Sequence, residues 1–217
     1  MDPVKDTQKT YQNHREIQRE RILEAAEILF IRNGIDNVSI SSIAAVARIA
    51  RKTLYEYFPN KQEIAWAIMQ KIFTERYTSF DPYQLPEGNG FQRVEYFLFQ
   101  IISMLELYPE HIRFIAEFDT LYAREGDAIR MRKMYGLGGD LIIHMIQQGI
   151  ADGSIRADFD PDLLSASMLN LVSGMNSRFS TLGNQIKDEY GQPVMELYRE
   201  ICRIFLRGIQ SNHSAQG

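Results

Sequence analysis

The segment Arg48–Lys61 carries the side chains of this chain that are best suited to binding an anionic polymer. It contains four basic residues against one acidic residue, Glu56. Arginine and lysine donate to guanine edges, and the methyl group of Thr53 can meet a thymine methyl. Residues 1–64 hold ten basic and nine acidic residues, whereas residues 65–217 hold fourteen and nineteen. Although the net charge is −4, the local positive charge therefore predicts contact with nucleic acid.

Three short helices are predicted to position these side chains. The first begins near Glu16 and ends at Gly34, which closes it as a C′ glycine does. The second covers Ser41–Ala47, and the third covers Arg51–Phe58. In the third helix, Leu54 and Phe58 are four residues apart and can fill one core. The second and third helices, joined by a tight turn, follow a helix-turn-helix plan.

The segment GIDNVSISSIAAVARIARKTLYEYFPNKQEI resembles the DNA-binding signature of TetR regulators. The anchors that carry this resemblance are Gly34, Ser39, Ile43-Ala44, Thr53-Leu54-Tyr55, Tyr57-Phe58 and Lys61. The resemblance implies that Arg51, Lys52 and Thr53 project into the major groove. The side chains better suited to phosphate contacts are Ser39, Tyr55, Tyr57 and Lys61, and Arg48 can add another. Ser41 completes the expected DNA-binding set.

The turn departs from the signature. The family turn is usually Ala-Gly-Val-Ser, whereas this chain has Ala47-Arg48-Ile49-Ala50. A non-glycine residue in a left-handed turn costs about 1 kcal/mol, and losing the cap hydroxyl at Ala50 costs about as much again. Either the turn geometry differs, or the rest of the protein offsets the strain.

No strand-like alternation occurs, so we expect an all-α protein with about nine helices. The N-terminal three-helix helix-turn-helix domain is followed by a larger helical effector-binding and dimerisation domain. The expected boundaries are a flexible arm over residues 1–13, the DNA-binding domain over 14–64, the ligand-binding and dimerisation domain over 65–210, and a tail over 211–217. The Pro-rich and Gly-rich stretch Asp81–Gly90 predicts a loop.

Aromatic and sulfur-bearing side chains of the larger domain are candidates for an effector pocket. The expected ligand-binding residues are Tyr96, Phe99, Phe118, Tyr122, Met134 and Asn170, with Met104, Phe114 and Met175 as further apolar candidates. Such residues more often fill a core, and Asn170 and Asn176 can equally bond across a dimer interface. An apolar wall favours a hydrophobic or amphipathic effector, with a cationic group as the minor alternative because acidic residues lie nearby.

The resemblance implies a homodimeric repressor that is released from a palindromic DNA operator by a small molecule. The dimer interface is expected in helices at about 161–182 and 193–209. The alternative is a regulator of the same fold that senses a protein or nothing. We expect no enzyme, cofactor or metal site, since no catalytic or ligand motif is present. A lone cysteine, Cys202, with no leader or membrane-length apolar run, favours the cytoplasm and excludes a membrane partner.

Overall fold

The computed structural model describes residues 3–77 and 85–211, with side chains at 13–74, 85–134 and 140–211. Ten helices occur in this part of the chain. They are α1 (Pro3–Asn33), α2 (Ile40–Val46), α3 (Arg51–Tyr57), α4 (Lys61–Tyr77), α5 (Gly90–Leu107), α6 (Pro109–Glu125), α7 (Ala128–Ala151), α8 (Pro161–Leu182), α9 (Asn184–Tyr190) and α10 (Val194–Ile209).

The expected fold class is confirmed. Extended pairing in the described ranges is limited to an isolated bridge between Ile155 and Gln210. None of the helices described is long and apolar enough to cross a membrane. The seven-residue helix α9 was not expected, because it is too short to show a clear apolar period.

The start of α1 differs from the expectation, and parts of the expected tail and loop are not described by the structure. Helix α1 begins at Pro3 rather than near Glu16, so the expected arm is helical where it is described. Proline is tolerated in the first turn of a helix, and no further proline interrupts α1. Residues 212–217 of the expected tail and residues 81–84 of the expected loop lie outside the described residues.

The chain divides into two compact units. The first contains the residues up to Ile72 together with Glu117–Gly126, and the second contains Phe73–Ala116 and the residues from Asp127 onward. Helices α4 and α6 therefore contribute residues to both units. The first unit extends past the expected boundary at residue 64, and it includes a segment that is distant in sequence.

The first unit is built around α1, α2 and α3, and it also contains a cluster of packed aromatic rings. Ile43 of α2 and Leu54 of α3 are fully buried, as their spacing predicts. Trp66 of α4 is 8% exposed and packs edge-on against Phe118 and Tyr122, with ring centroids 4.8 and 6.3 Å apart. Edge-to-face packing of this kind stabilises aromatic pairs by about 0.5–1.5 kcal/mol beyond their burial.

The second unit has its core between α5, α7, α8 and α10. Helices α5 and α7 cross at two glycines, and a Cβ atom built on Gly90 would lie 2.0 Å from the backbone nitrogen of Gly149. Tyr198 is fully buried, and its hydroxyl donates to Oδ1 of Asn176 at 2.8 Å. Cys202 is buried nearby in α10, as a small apolar side chain would be.

The turn between α2 and α3 keeps a left-handed residue. Arg48 has φ of +57°, and it is the one non-glycine residue with positive φ in the described chain. Its amide donates to the carbonyl of Ala45, and the amide of Ile49 donates to that of Ala44. Ala50 precedes α3 in an extended conformation with no side-chain cap. Both costs expected from the sequence are therefore present, and the geometry of the turn is retained.

Replacing Arg48 by glycine should stabilise the protein by up to about 1 kcal/mol, because glycine has no Cβ penalty at positive φ. Ala45→Gly is the matched control, since Ala45 is exposed within α2 and glycine should destabilise that helix by about 1 kcal/mol. Denaturant unfolding followed by circular dichroism measures both changes. A lower unfolding free energy for Arg48→Gly would contradict the strain at this turn.

Asp119 directly follows Phe118 on α6 and is half-buried. Burial raises the pKa of this carboxyl from its usual value of 3.8 to about 6. The folded state therefore binds more protons than the unfolded state between about pH 4 and pH 6. The contribution of Asp119 to the free energy of unfolding is therefore fully present below the unfolded-state pKa of 3.8. It is lost as the pH rises through the folded-state pKa of about 6.

The substitution Asp119→Asn should therefore raise the free energy of unfolding at pH 7, by on the order of 2 kcal/mol, and change it little at pH 4. Asp36→Asn should instead lower the free energy of unfolding at pH 7, since the pKa of Asp36 is lowered by its hydrogen bond to Arg124. Melting temperatures across this pH range measure both effects. An Asp119→Asn effect that is the same at pH 4 and pH 7 would show that ionisation is not its cause.

Candidate DNA-binding surface

Helix α3 is fixed in rotation by its apolar side chains. Leu54 is fully buried and Phe58, which follows the helix, is nearly so. In the first turn of the helix, Arg51 and Lys52 are both exposed, and Thr53 is half-buried beside them. The first turn of α3 thus presents two exposed cations. The contacts of these residues with DNA remain a prediction.

Two tyrosines of α3 differ in their surroundings. Tyr55 is 43% exposed, and its hydroxyl oxygen accepts a hydrogen bond from Nη2 of Arg51 at 3.2 Å. The Arg51 guanidinium also lies 5.5 Å from the Tyr55 ring centroid. Tyr57 is half-buried. In the free protein, Arg51 is thus held along the helix by Tyr55, which limits its rotamers before any DNA arrives.

The start of α2 is held by a capping box. The Ser39 side chain accepts from the backbone amide of Ser42 at 3.0 Å, and the Ser42 hydroxyl accepts from the amide of Ser39 at 3.1 Å. Ser41, in the first turn, is exposed. Ser39 thus acts first as a helix cap, which stabilises a helix by typically about 1 kcal/mol.

Lys61 belongs to a cluster that the sequence did not reveal. Its Nζ donates to the backbone carbonyl of Asp36 at 2.9 Å. The carboxylate of Asp36 binds both terminal nitrogens of Arg124, with an Nη1–Oδ2 distance of 2.7 Å and an Nη2–Oδ1 distance of 2.8 Å. This hydrogen bond holds the pKa of Asp36 below its usual range. One residue of the α1–α2 connection thereby ties together the first residue of α4 and the end of α6.

The expected ligand-binding residues are divided between the two units. Phe118 and Tyr122 lie in the first unit against Trp66. In the second unit, Phe99 and Met134 are half-buried, whereas Tyr96 and Asn170 are exposed and the Asn170 amide donates to the carbonyl of Ala166. The structure thus places two members of the set in the aromatic cluster of the first unit and the other four in the second unit.

The second unit also has an open groove that the sequence did not indicate. Its volume is about 580 Å³, and none of the expected ligand-binding residues lines it. The groove lies between the start of α5 and the end of α10. Its polar lining residues include Gln92, Glu95, Arg203 and Arg207. Its lining is thus largely polar, unlike the apolar wall expected for an effector pocket.

Comparison with known proteins agrees with the geometry of the first unit. Residues 22–68 match the family model for bacterial regulatory proteins of the tetR family. The chain is 27% identical to the HTH-type transcriptional regulator YhgD of Bacillus subtilis (strain 168) over 184 residues, which cover 83% of this chain and 94% of that protein. It is 24% identical to the HTH-type transcriptional repressor KstR2 of Mycolicibacterium smegmatis over 158 residues, which cover 68% and 72% of the two chains.

The fold is also found in solved structures. A transcriptional regulator from Saccharomonospora viridis, solved in complex with choline, aligns with a TM-score of 0.72 at 19% identity, over 89% of this chain and 98% of that one. At this identity the likeness shows the fold alone. The matched family model, the relatives and the helix-turn-helix described above lead to one conclusion: residues 22–68 are a DNA-binding domain of the tetR family, and the chain is a transcriptional regulator of the TetR type.

Proposed function

We propose that this regulator is a homodimeric repressor that binds a palindromic operator and leaves it when a small molecule binds. The observation that carries the proposal is the outward presentation of Arg51 and Lys52 from a helix anchored by Leu54. A recognition helix uses its N-terminal residues to reach base edges in the major groove. The repressor KstR2 supports the sign of the regulation, since it is similar to this chain over most of its length.

The phosphate contacts are proposed for residues around the ends of α3. Lys61 uses one of its three ammonium donors on the Asp36 carbonyl, so two remain for a phosphate. Arg48 is exposed at the turn, and Tyr55 and Tyr57 follow the base-reading residues in α3. Ser39 and Ser41 complete the set at the start of α2. These contacts fix the register of the protein on DNA without reading its sequence.

The dimer is proposed to form through α8 and α10. The outward face of α8 carries Leu163, 68% exposed, followed at helical spacing by Ala166, Asn170 and Gly174. A Cβ atom built on Gly174 would meet nothing within 4 Å, so a second helix has room to approach there. Ile204 of α10 is 61% exposed as well. Exposed apolar and small residues of this kind fit an interface between packed helices. Binding of a single chain to each palindromic duplex would contradict the proposed dimer.

Release of DNA is proposed to pass through α4 and α6. Each of these helices has residues in both units, so a shift of either one in the second unit reaches the first through a continuous backbone. In the first unit, the two helices meet at Trp66 and Phe118, and Asp36 links them through Lys61 and Arg124. Coupling of this kind typically changes affinity by about 1–3 kcal/mol.

The proposed effector is hydrophobic or amphipathic. The apolar candidates Phe99 and Met134 in the second unit favour it, because burial of apolar surface supplies most of the binding energy of such ligands. A cationic group is the minor alternative, supported by the choline bound to the Saccharomonospora viridis regulator. A regulator that senses a protein or nothing is the alternative function. The proposed location is the cytoplasm, and no catalytic role is proposed.

Substitutions in α3 and α4 should separate base reading from phosphate binding. Lys61→Ala should weaken binding to a selected operator and to random duplex equally, and lower the slope of log K against log salt by about one per bound headpiece. Arg51→Ala or Lys52→Ala should instead reduce the preference for the operator by roughly 1–3 kcal/mol. Lys187→Ala, an exposed change on α9, is the control. Fluorescence anisotropy titrations measure these values, and equal losses on both duplexes for residues 51 and 52 would contradict their base-reading role.

A thermal-shift screen against a mixed library of small molecules tests the effector. Hydrophobic or amphipathic compounds should raise the melting temperature, since they bind the folded protein and not the unfolded chain. They should also release a labelled operator duplex, since they bind the DNA-free conformation better than the DNA-bound one. If only small hydrophilic anions do both, the proposed pocket chemistry is wrong. If no compound does either, the effector-independent or protein-sensing alternative is favoured, and the DNA-binding role is unaffected.

A further inference from the structure

Two arginines of α1 lie over aromatic rings at the end of α3. The guanidinium carbon of Arg15 is 5.7 Å from the ring centroid of Tyr57, and that of Arg19 is 5.3 Å from the ring centroid of Phe58. Arg15 and Arg19 are four residues apart and so share one face of α1. This face of α1 therefore brings two positive charges to the C-terminal end of the recognition helix.

The two arginines differ in how exposed their ring partners are. Phe58 is nearly buried, so Arg19 lies over a ring that belongs to the core. Arg15 is exposed, and its ring partner Tyr57 is only half-buried. Among the side chains described, Arg15 has no carboxylate partner, and its guanidinium lies over the Tyr57 ring. A guanidinium that rests on a ring face keeps the N–H donors along its edge free for an anion.

The position of Tyr57 places Arg15 near the edge of the DNA groove. Helix α3 has seven residues and is about 10 Å long, close to the ~12 Å width of the major groove. When its first residues reach the bases, its last residue, Tyr57, lies toward the phosphates that border the groove. Arg15, stacked on that residue, is then within reach of the same strand of backbone.

We propose that Arg15 binds a backbone phosphate and extends the DNA-binding surface from the helix-turn-helix onto α1. The inference depends on the proposed entry of α3 into the major groove. The ring of Tyr57 holds the guanidinium in place before DNA binds, so less side-chain freedom is lost on contact. Because phosphates carry no sequence information, Arg15 adds affinity and salt dependence and leaves operator preference unchanged.

The test compares Arg15→Ala with Arg21→Ala in the full-length protein. Arg21 is also exposed on α1, but it points about 120° away from Arg15 around the helix. Binding to a fluorescent random-sequence duplex is measured at several salt concentrations from about 50 to 200 mM. Arg15→Ala should lower the salt slope by about one per headpiece, which for two headpieces makes its defect roughly tenfold larger at the lowest salt than at the highest. Arg15→Lys, which keeps the charge but not the planar fork, should retain most of the slope.

The outcomes separate this inference from the proposed function. If the wild-type protein binds the duplex but the Arg15→Ala and Arg21→Ala variants have the same slope, the phosphate role of Arg15 is wrong and the role of α3 is untouched. The same conclusion follows if Arg15→Ala lowers the melting temperature without changing the slope. If the wild-type protein binds no duplex, both the DNA-binding role and this inference fail.

Discussion

A helix of seven residues is not stable by itself in water, because it forms too few hydrogen bonds to offset the cost of its nucleation. Helix α3 therefore depends on the burial of Leu54 and Phe58 in the core of the first unit. The same burial fixes which way its polar side chains point. The strained residue Arg48 is tolerated for the same reason, since the turn that it forms is determined by apolar contacts on both sides. The presentation of Arg51 and Lys52 is thus a consequence of packing and not of the charges themselves.

Asp36 gives the first unit an electrostatic link that is independent of its apolar core. Its carbonyl binds Lys61, and its carboxylate binds Arg124 through a hydrogen bond and an ion pair. This pairing lowers the pKa of Asp36, because the Arg124 hydrogen bond favours the ionised carboxylate. In an acidic chain, such a link places a cation at the start of α4 and holds it in a fixed position. The local positive surface is therefore organised by an acidic residue.

The fold could largely be predicted from the sequence, since helix periods and end signals such as Gly34 are local. The core positions of the first unit could be predicted for the same reason. The Asp36–Arg124 pair could not, because its members are 88 residues apart and each is an ordinary surface charge in its own segment. The sequence pattern around the candidate pocket residues Phe118 and Tyr122 was ambiguous as well. Aromatic residues at helical spacing fit a core and a pocket alike, and only the tertiary position of Trp66 distinguishes them.

The contribution of α6 to the first unit limits how this chain can be recombined. The ring of Trp66 is covered by Phe118 and Tyr122, which follow it by about fifty residues. A DNA-reading fragment cut after Ile72 would lack residues 117–126 and would expose this aromatic surface to water. A chimera that joins the first seventy residues to the body of another regulator would inherit the same defect. The transferable part of this protein is therefore discontinuous in sequence, and a productive graft has to carry the end of α6 with it.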